Sequence, residues 1–168
     1  GQAAPDRGGA VASRQEGLAD RLAQLCSLAG IHPPEEPTYI SLTLQAAALL
    51  PDAFGRWQRT CNADQLSNWT GLPSSALEVR QSFQDVHWLG GWNAALSVPK
   101  ADALALAAGS CWLFRINGVG RDAVLEAVQR LEDTGIGERR QEGFGVVRAC
   151  DPQHWQVHEL EQELAHDR

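Results

Sequence analysis

Between residues 135 and 145 the chain reads Gly-Ile-Gly-Glu-Arg-Arg-Gln-Glu-Gly-Phe-Gly, four glycines in eleven residues around an adjacent arginine pair. No other stretch restricts the fold as sharply. Glycine at this density marks backbone at positive φ, or backbone that another group approaches closely. Residues 122–132 before it carry Val124, Leu125, Val128 and Leu131 on one helical stripe, and residues 146–149 after it read as a strand. The order is therefore helix, glycines, strand. A dinucleotide-binding fingerprint needs strand, glycines, helix, and a phosphate-binding P-loop needs a closing Gly-Lys-Ser/Thr. Both are excluded. Two readings of the run remain. In one, backbone N–H groups with Arg139 and Arg140 make a concave cationic surface for a phosphate backbone, and Phe144 stacks on a base or anchors the loop in the core. In the other, the run is a sharp connection whose arginines pair with Glu138 and Glu142.

The rest of the chain supplies the frame. Residues 1–16 have no periodicity and read as a disordered linker or tail. Leu18, Leu22, Leu25 and Leu28 predict a helix from Gly17 to Ala29, ended by Gly30 and followed by a proline-rich connector to residue 37. Thr38 to Leu44 alternates and predicts a strand with one buried and one exposed face. Residues 45–72 hold a short helix or an irregular packed loop. Residues 76–89 predict a strand that turns at Gly90-Gly91 into 92–98, a β-hairpin, and 99–108 read as an alanine-rich connector. Residues 109–116, Gly-Ser-Cys-Trp-Leu-Phe-Arg-Ile, are the clearest buried strand. Asp122 is placed to cap the next helix. Asp151-Pro152 opens a C-terminal helix reaching about Ala165, with Trp155, Leu160 and Leu164 as its apolar contacts. The element order fits an α+β, ferredoxin-like split βαβ domain over residues 38–150, with residues 151–168 as an acidic appendage.

Charge limits the partners. The net charge of −7 argues against a solitary nucleic-acid binder, but residues 150–168 hold five acidic side chains against one basic. Thirteen of the 14 basic residues are arginine, Lys100 being the exception, which favours planar bidentate contacts. No run approaches the length of a membrane span and no signal peptide opens the chain, so a cytoplasmic protein with reduced thiols at Cys26, Cys61, Cys111 and Cys150 is expected. The lack of any methionine, even at position 1, reads as a processed or partial product.

The segment from the strand 109–116 through the glycine run resembles the carboxyl-terminal glycine-rich loop region of the repeat-associated (RAMP) superfamily of CRISPR proteins, and Gly91-Trp92-Asn93 fits the same pattern. It most resembles the subtype III-D RAMP subunit, related to the subunits that hold the 5′ handle of guide RNA in type III effectors. The resemblance spans residues 38–150 and is specific from 109 to 147. It implies an RNA-recognition-type ferredoxin fold with a β-hairpin insertion and flanking N- and C-terminal helices. It also implies a non-catalytic, cofactor-free RNA-binding subunit of a type III ribonucleoprotein. Gly135, Gly137, Arg139, Arg140, Gly143, Phe144 and Gly145 would contact guide RNA. Other RAMP-family and large subunits would be partners. Relatives usually carry two such folds, so a companion half-subunit is also implied.

Competing candidates are weaker. A metal-independent RAMP endoribonuclease would use His87 or His32 as general acid/base, but neither has a partner at fixed spacing. A scaffold piece without RNA contact is the third reading. Cys150, His154 and His158 recur every four residues, yet Asp151-Pro152 starts the helix after the cysteine, so no metal site is assigned. Asp52, Asp64 and Asp85 lack the spacing of a two-metal centre. Trp112 is either core or on the RNA-facing face of the sheet, and Trp57, Trp69, Trp88 and Trp92 each serve either a subunit interface or the core.

Overall fold

A computed structural model describes residues 7–30, 38–93 and 97–154. The elements in chain order are α1 (Arg7–Leu28), β1 (Thr38–Leu44), α2 (Ala63–Thr70), β2 (Leu77–Phe83), β3 (Val86–Leu89), β4 (Trp92–Asn93), β5 (Val98–Pro99), β6 (Ala103–Leu106), β7 (Cys111–Ile116), α3 (Arg121–Thr134) and β8 (Val147–Ala149).

β2, β7, β1 and β8 lie side by side in that order, and every pairing is antiparallel. Numbered by their own succession, these four strands stand 4-1-3-2, with α2 and α3 as the crossovers. That is the split βαβ, ferredoxin-like arrangement expected from the sequence. Ile40, Leu42, Leu44, Trp112, Phe114, Ile116, Val147 and Ala149 share one face and are buried with Val124, Val128 and Leu131 of α3 and Val11 and Leu18 of α1. Each such large apolar side chain contributes about 1.5–3 kcal/mol when fully buried. Ser41 and Thr43, on the other face, are buried too, because β1 is an inner strand and they stand opposite Leu113, Cys111 and Arg148. The exposed second face predicted for β1 is therefore corrected.

Several boundaries differ from the sequence reading. α1 begins at Arg7, well ahead of Gly17, because buried Val11 and Gln15 extend its stripe backwards from Leu18. Part of the segment read as a disordered tail, residues 7–16, is thus helical; residues 1–6 and 31–37 lie outside the described residues. α2 comes from a full capping box in which Asn62 accepts from the Gln65 N–H and Gln65 accepts from the Asn62 N–H, with Gly71 left-handed at its end. Asp122 does not cap α3. Gly120 holds that position without a side-chain bond, and Asp122 lies in the first turn, where the helix dipole favours a carboxylate.

Gly90-Gly91 is not a hairpin turn. β3 pairs with β6, Val86 opposite Leu106 and Leu89 opposite Ala103, while β4 pairs with β5, so the two glycines sit midway along one arm of a longer hairpin. The alanine-rich connector supplies its returning strand. Leu106 also exchanges both backbone hydrogen bonds with Ala48 at 2.9 Å, which joins the hairpin to residues 45–50.

The outer edge of β8 is closed by side chains. Glu132 of α3 accepts the Ala149 N–H at 2.6 Å, and Arg14 of α1 donates Nε to the Ala149 carbonyl at 2.9 Å while its Nη2 bonds Glu132. After β8, Cys150 takes a positive φ and is buried, and Asp151 accepts from the Gln153 N–H at the start of a 3-10 turn, Pro152–His154. The expected C-terminal helix beyond it, with Trp155, Leu160 and Leu164, falls outside the described residues.

Candidate nucleic-acid interface

The glycine run is built by its own backbone. α3 ends where the Gly135 N–H bonds the Leu131 carbonyl, and buried Ile136 then donates to the Gly145 carbonyl at 2.8 Å, closing the two ends of the loop on each other. A Cβ on Gly145 would lie 1.8 Å from the Ile136 oxygen, and one on Gly137 would lie 2.3 Å from the Leu49 oxygen. These two glycines, both at positive φ, let the loop close and let it lie against residues 47–50. There the Glu138 N–H donates to Leu49 and the Gly145 N–H donates to Ala47. Gly135 meets the Gly145 carbonyl in the same way, whereas Gly143 is open on all sides.

At the tip, Arg139 is left-handed at φ 54°, ψ 32°, and a 3-10 turn follows from Arg140 to Glu142. That conformation costs a side-chain-bearing residue about 1 kcal/mol. The pairing of Arg139 and Arg140 with Glu138 and Glu142 is not formed. Arg140 donates to the Thr134 carbonyl at 3.3 Å, a cation at the C-terminus of α3, and Glu142 pairs with Lys100 at 3.4 Å. Arg139 has no ion pair or hydrogen bond from its side chain among the described residues. Phe144 packs against the cluster of Leu49, Ala103 and Ala105, which Trp57 also meets, the anchoring one of its two roles.

A second arginine-bearing element, which the sequence reading passed over, leaves the same support. Leu50 accepts from the Gln58 N–H at 2.7 Å, and between them residues 51–57 form a tight turn. Asp52 receives the Phe54 and Arg56 N–H groups at 2.8 and 2.9 Å and Arg56 Nε at 2.7 Å. The Arg56 N–H, followed by its guanidinium and the Phe54 N–H, holds the Asp52 carboxyl below the usual carboxylate range. Phe54 is 84% exposed, with the Arg56 guanidinium 5.4 Å from its ring centre. The sequence signal for this turn is the Asp-x-x-Gly-Arg order at 52–56.

Other candidates are scattered. His87 is exposed on β3 opposite Ala105, and His32 is outside the described residues. Asp52 serves its turn, Asp64 lies in the first turn of α2, and Asp85 accepts from the Val86 N–H. Among the described residues no group of three potential ligands is placed to hold a metal. Cys150 is buried, and burial pushes its thiol up to about 11; His158 lies outside the described residues. Trp112 is core, its Nε1 donating to Gln84, while Trp88 and Trp92 are exposed along the hairpin arm. All four cysteines are free. No described helix is long and apolar enough to cross a membrane.

The chain matches no protein-family model and no curated protein. Among solved structures it is similar to a Cas6 product complex, at 11% identity and a TM-score of 0.45, and to a Cas6 substrate mimic complex, at 12% and 0.46. Each of these alignments covers 78% of this chain and 57% of the other. It is also similar to a Thermus thermophilus Cas6, at 14% identity and a TM-score of 0.44, over 66% of this chain and 52% of that one. The chain thus spans little more than half the length of these proteins. The expectation that the chain is not an enzyme is withdrawn against these similarities to a Cas6 substrate mimic complex and a Cas6 product complex.

Proposed function

We propose that the chain is a RAMP-type CRISPR protein that binds RNA through the loop 135–145. The resemblance of the glycine run to RAMP loops and the 4-1-3-2 sheet that carries it support this reading. The observation that carries it is Arg139: a guanidinium at the tip of a loop fixed at both ends, in left-handed backbone, with no side-chain partner among the described residues. Arg139 is half-buried, and a charge left without a partner there is suited to a phosphate. Arg140 and Gly143 flank it on the same tip, while Gly135, Gly137, Phe144 and Gly145 give the loop its shape. The RNA would be a CRISPR guide, and the setting a type III ribonucleoprotein with other RAMP-family and large subunits and a companion half-subunit.

Titrating the full chain with a fluorescein-labelled CRISPR-repeat RNA at several salt concentrations tests this. Arg139→Ala should weaken binding, and the salt slope should fall by about 0.7, the share of one single-strand phosphate contact. Equal affinity and slope in the variant would remove the loop from the interface.

A further inference from the structure

The turn at residues 51–57 spends its hydrogen bonds on keeping an aromatic ring in water. Asp52 takes three of them, its own N–H bonds the Arg56 carbonyl at 2.8 Å, and Gly55 at φ 75° donates back to the Asp52 carbonyl. Nothing here buries Phe54. Its ring is held outward, and the Arg56 guanidinium, 77% exposed and tied to Asp52, lies against it. A ring fixed in this way loses little freedom when a second flat group stacks on it.

The surroundings select the partner. Ala53, Gly55, Arg56, Arg59 and Thr60, its neighbours in sequence, are exposed and include no large apolar side chain of the kind a protein hot spot uses. Within residues 51–60 and 135–145, four arginines stand against three carboxylates, in a chain whose net charge is −7. Asp52 and Glu142 are already engaged, by Arg56 and Lys100. Arg59, like Arg139, has no side-chain partner among the described residues. The turn and the glycine run also share one support, because Leu49 receives the Glu138 N–H and Leu50 the Gln58 N–H, while Trp57 and Phe144 pack in the same cluster.

We propose that this turn is a second RNA contact, in which the free face of Phe54 stacks on an unpaired base and Arg56 and Arg59 meet the adjoining phosphates. The inference rests on the RNA-binding reading of the glycine run and names single-stranded RNA as what passes between the two loops. Stacking of this kind tolerates any base, because every base has a π-face.

The test uses the full chain and a fluorescein-labelled, unstructured 12-nucleotide RNA of mixed sequence, followed by anisotropy at three salt concentrations. Phe54→Ala should weaken binding by about 5- to 150-fold at an unchanged salt slope, because it removes a stack and not a charge. Phe54→Trp should restore affinity and Phe54→Leu should not, which separates a flat ring from mere bulk. If Phe54→Ala and Phe54→Leu bind like the wild type while Arg139→Ala loses affinity and slope, the turn is overturned and the glycine-loop reading stands. If the wild-type chain binds neither this RNA nor the repeat RNA, both fall. Retained RNA affinity in Phe54→Ala, combined with loss of a protein that co-purifies with the wild type, would make the turn a protein contact and overturn the proposal.

Discussion

The glycine run and the turn at 51–57 present arginines from neighbouring positions, yet they are shaped by opposite means. The run is shaped by what is missing: side chains are absent at 137 and 145 so that backbone can touch backbone. The turn is shaped by one side chain, the Asp52 carboxylate, which gathers two N–H groups and a guanidinium. Structure made by absence is intolerant of substitution; structure made by one anion depends on its charge.

The largest effect should come from adding a methyl group to the run. Gly145→Ala places a Cβ 1.8 Å from the Ile136 oxygen at φ 70°, so the loop cannot close as it stands. A loss of about 3 kcal/mol or more is expected in urea denaturation, as for other backbone-incompatible changes. Gly143→Ala meets open space and should cost only the left-handed strain, about 1 kcal/mol. Similar losses for the two variants would show that closure of the run is not what Gly145 serves.

A smaller effect should mark the turn. Because its pKa is lowered in the folded chain, Asp52 adds stability above the ordinary carboxylate pKa and loses it as pH falls through the lowered value. The Phe54 and Arg56 amide resonances should therefore hold their positions at neutral pH and move only in acid. In Asp52→Asn they should show no such acid step. An acid step that survives in the variant would mean that another group orders the turn.

The smallest effect compares the bases of the two elements. Cys61, beyond the turn, and Cys150, beyond the run and β8, are both buried, and burial pushes their thiols up to about 12 and about 11. Both should resist a thiol reagent at pH 8 in the folded chain and react once it is denatured. Rapid labelling of either would show that the base of its element opens.

The elements with full apolar periodicity were legible in the sequence. β1, β7 and the stripe of α3 could be read directly, and with β8 they fix the crossover order. The hairpin was not, because alanine has little strand preference and Ala103 and Ala105 pair as strand where bulkier neighbours, Leu49 and Phe144, pack against them. Gly90-Gly91 misled because a turn signal is local, whereas the register is set by pairs such as Val86 with Leu106, twenty residues apart. The early start of α1 was hidden by Gly8 and Gly9, although Val11, Gln15 and Leu18 already carry its spacing. In the site, the need for glycine was visible, but not its cause: the close approach is made by the chain's own Leu49 and Ile136 oxygens. The Asp-x-x-Gly-Arg order at 52–56 marks the turn, but not the outward ring of Phe54, whose place depends on three bonds to a single carboxylate.

The Glu132 carboxylate has a consequence for how this sheet can meet other chains. An edge strand ordinarily offers unpaired N–H and C=O groups to any passing strand. Here the Ala149 N–H is held by Glu132 and the Ala149 carbonyl by Arg14, so a newcomer on that side would have to break a charged pair and detach two helices before gaining a rung. The sheet is stoppered at that margin. The Ala149 rung of β8 is thereby withheld from any second strand.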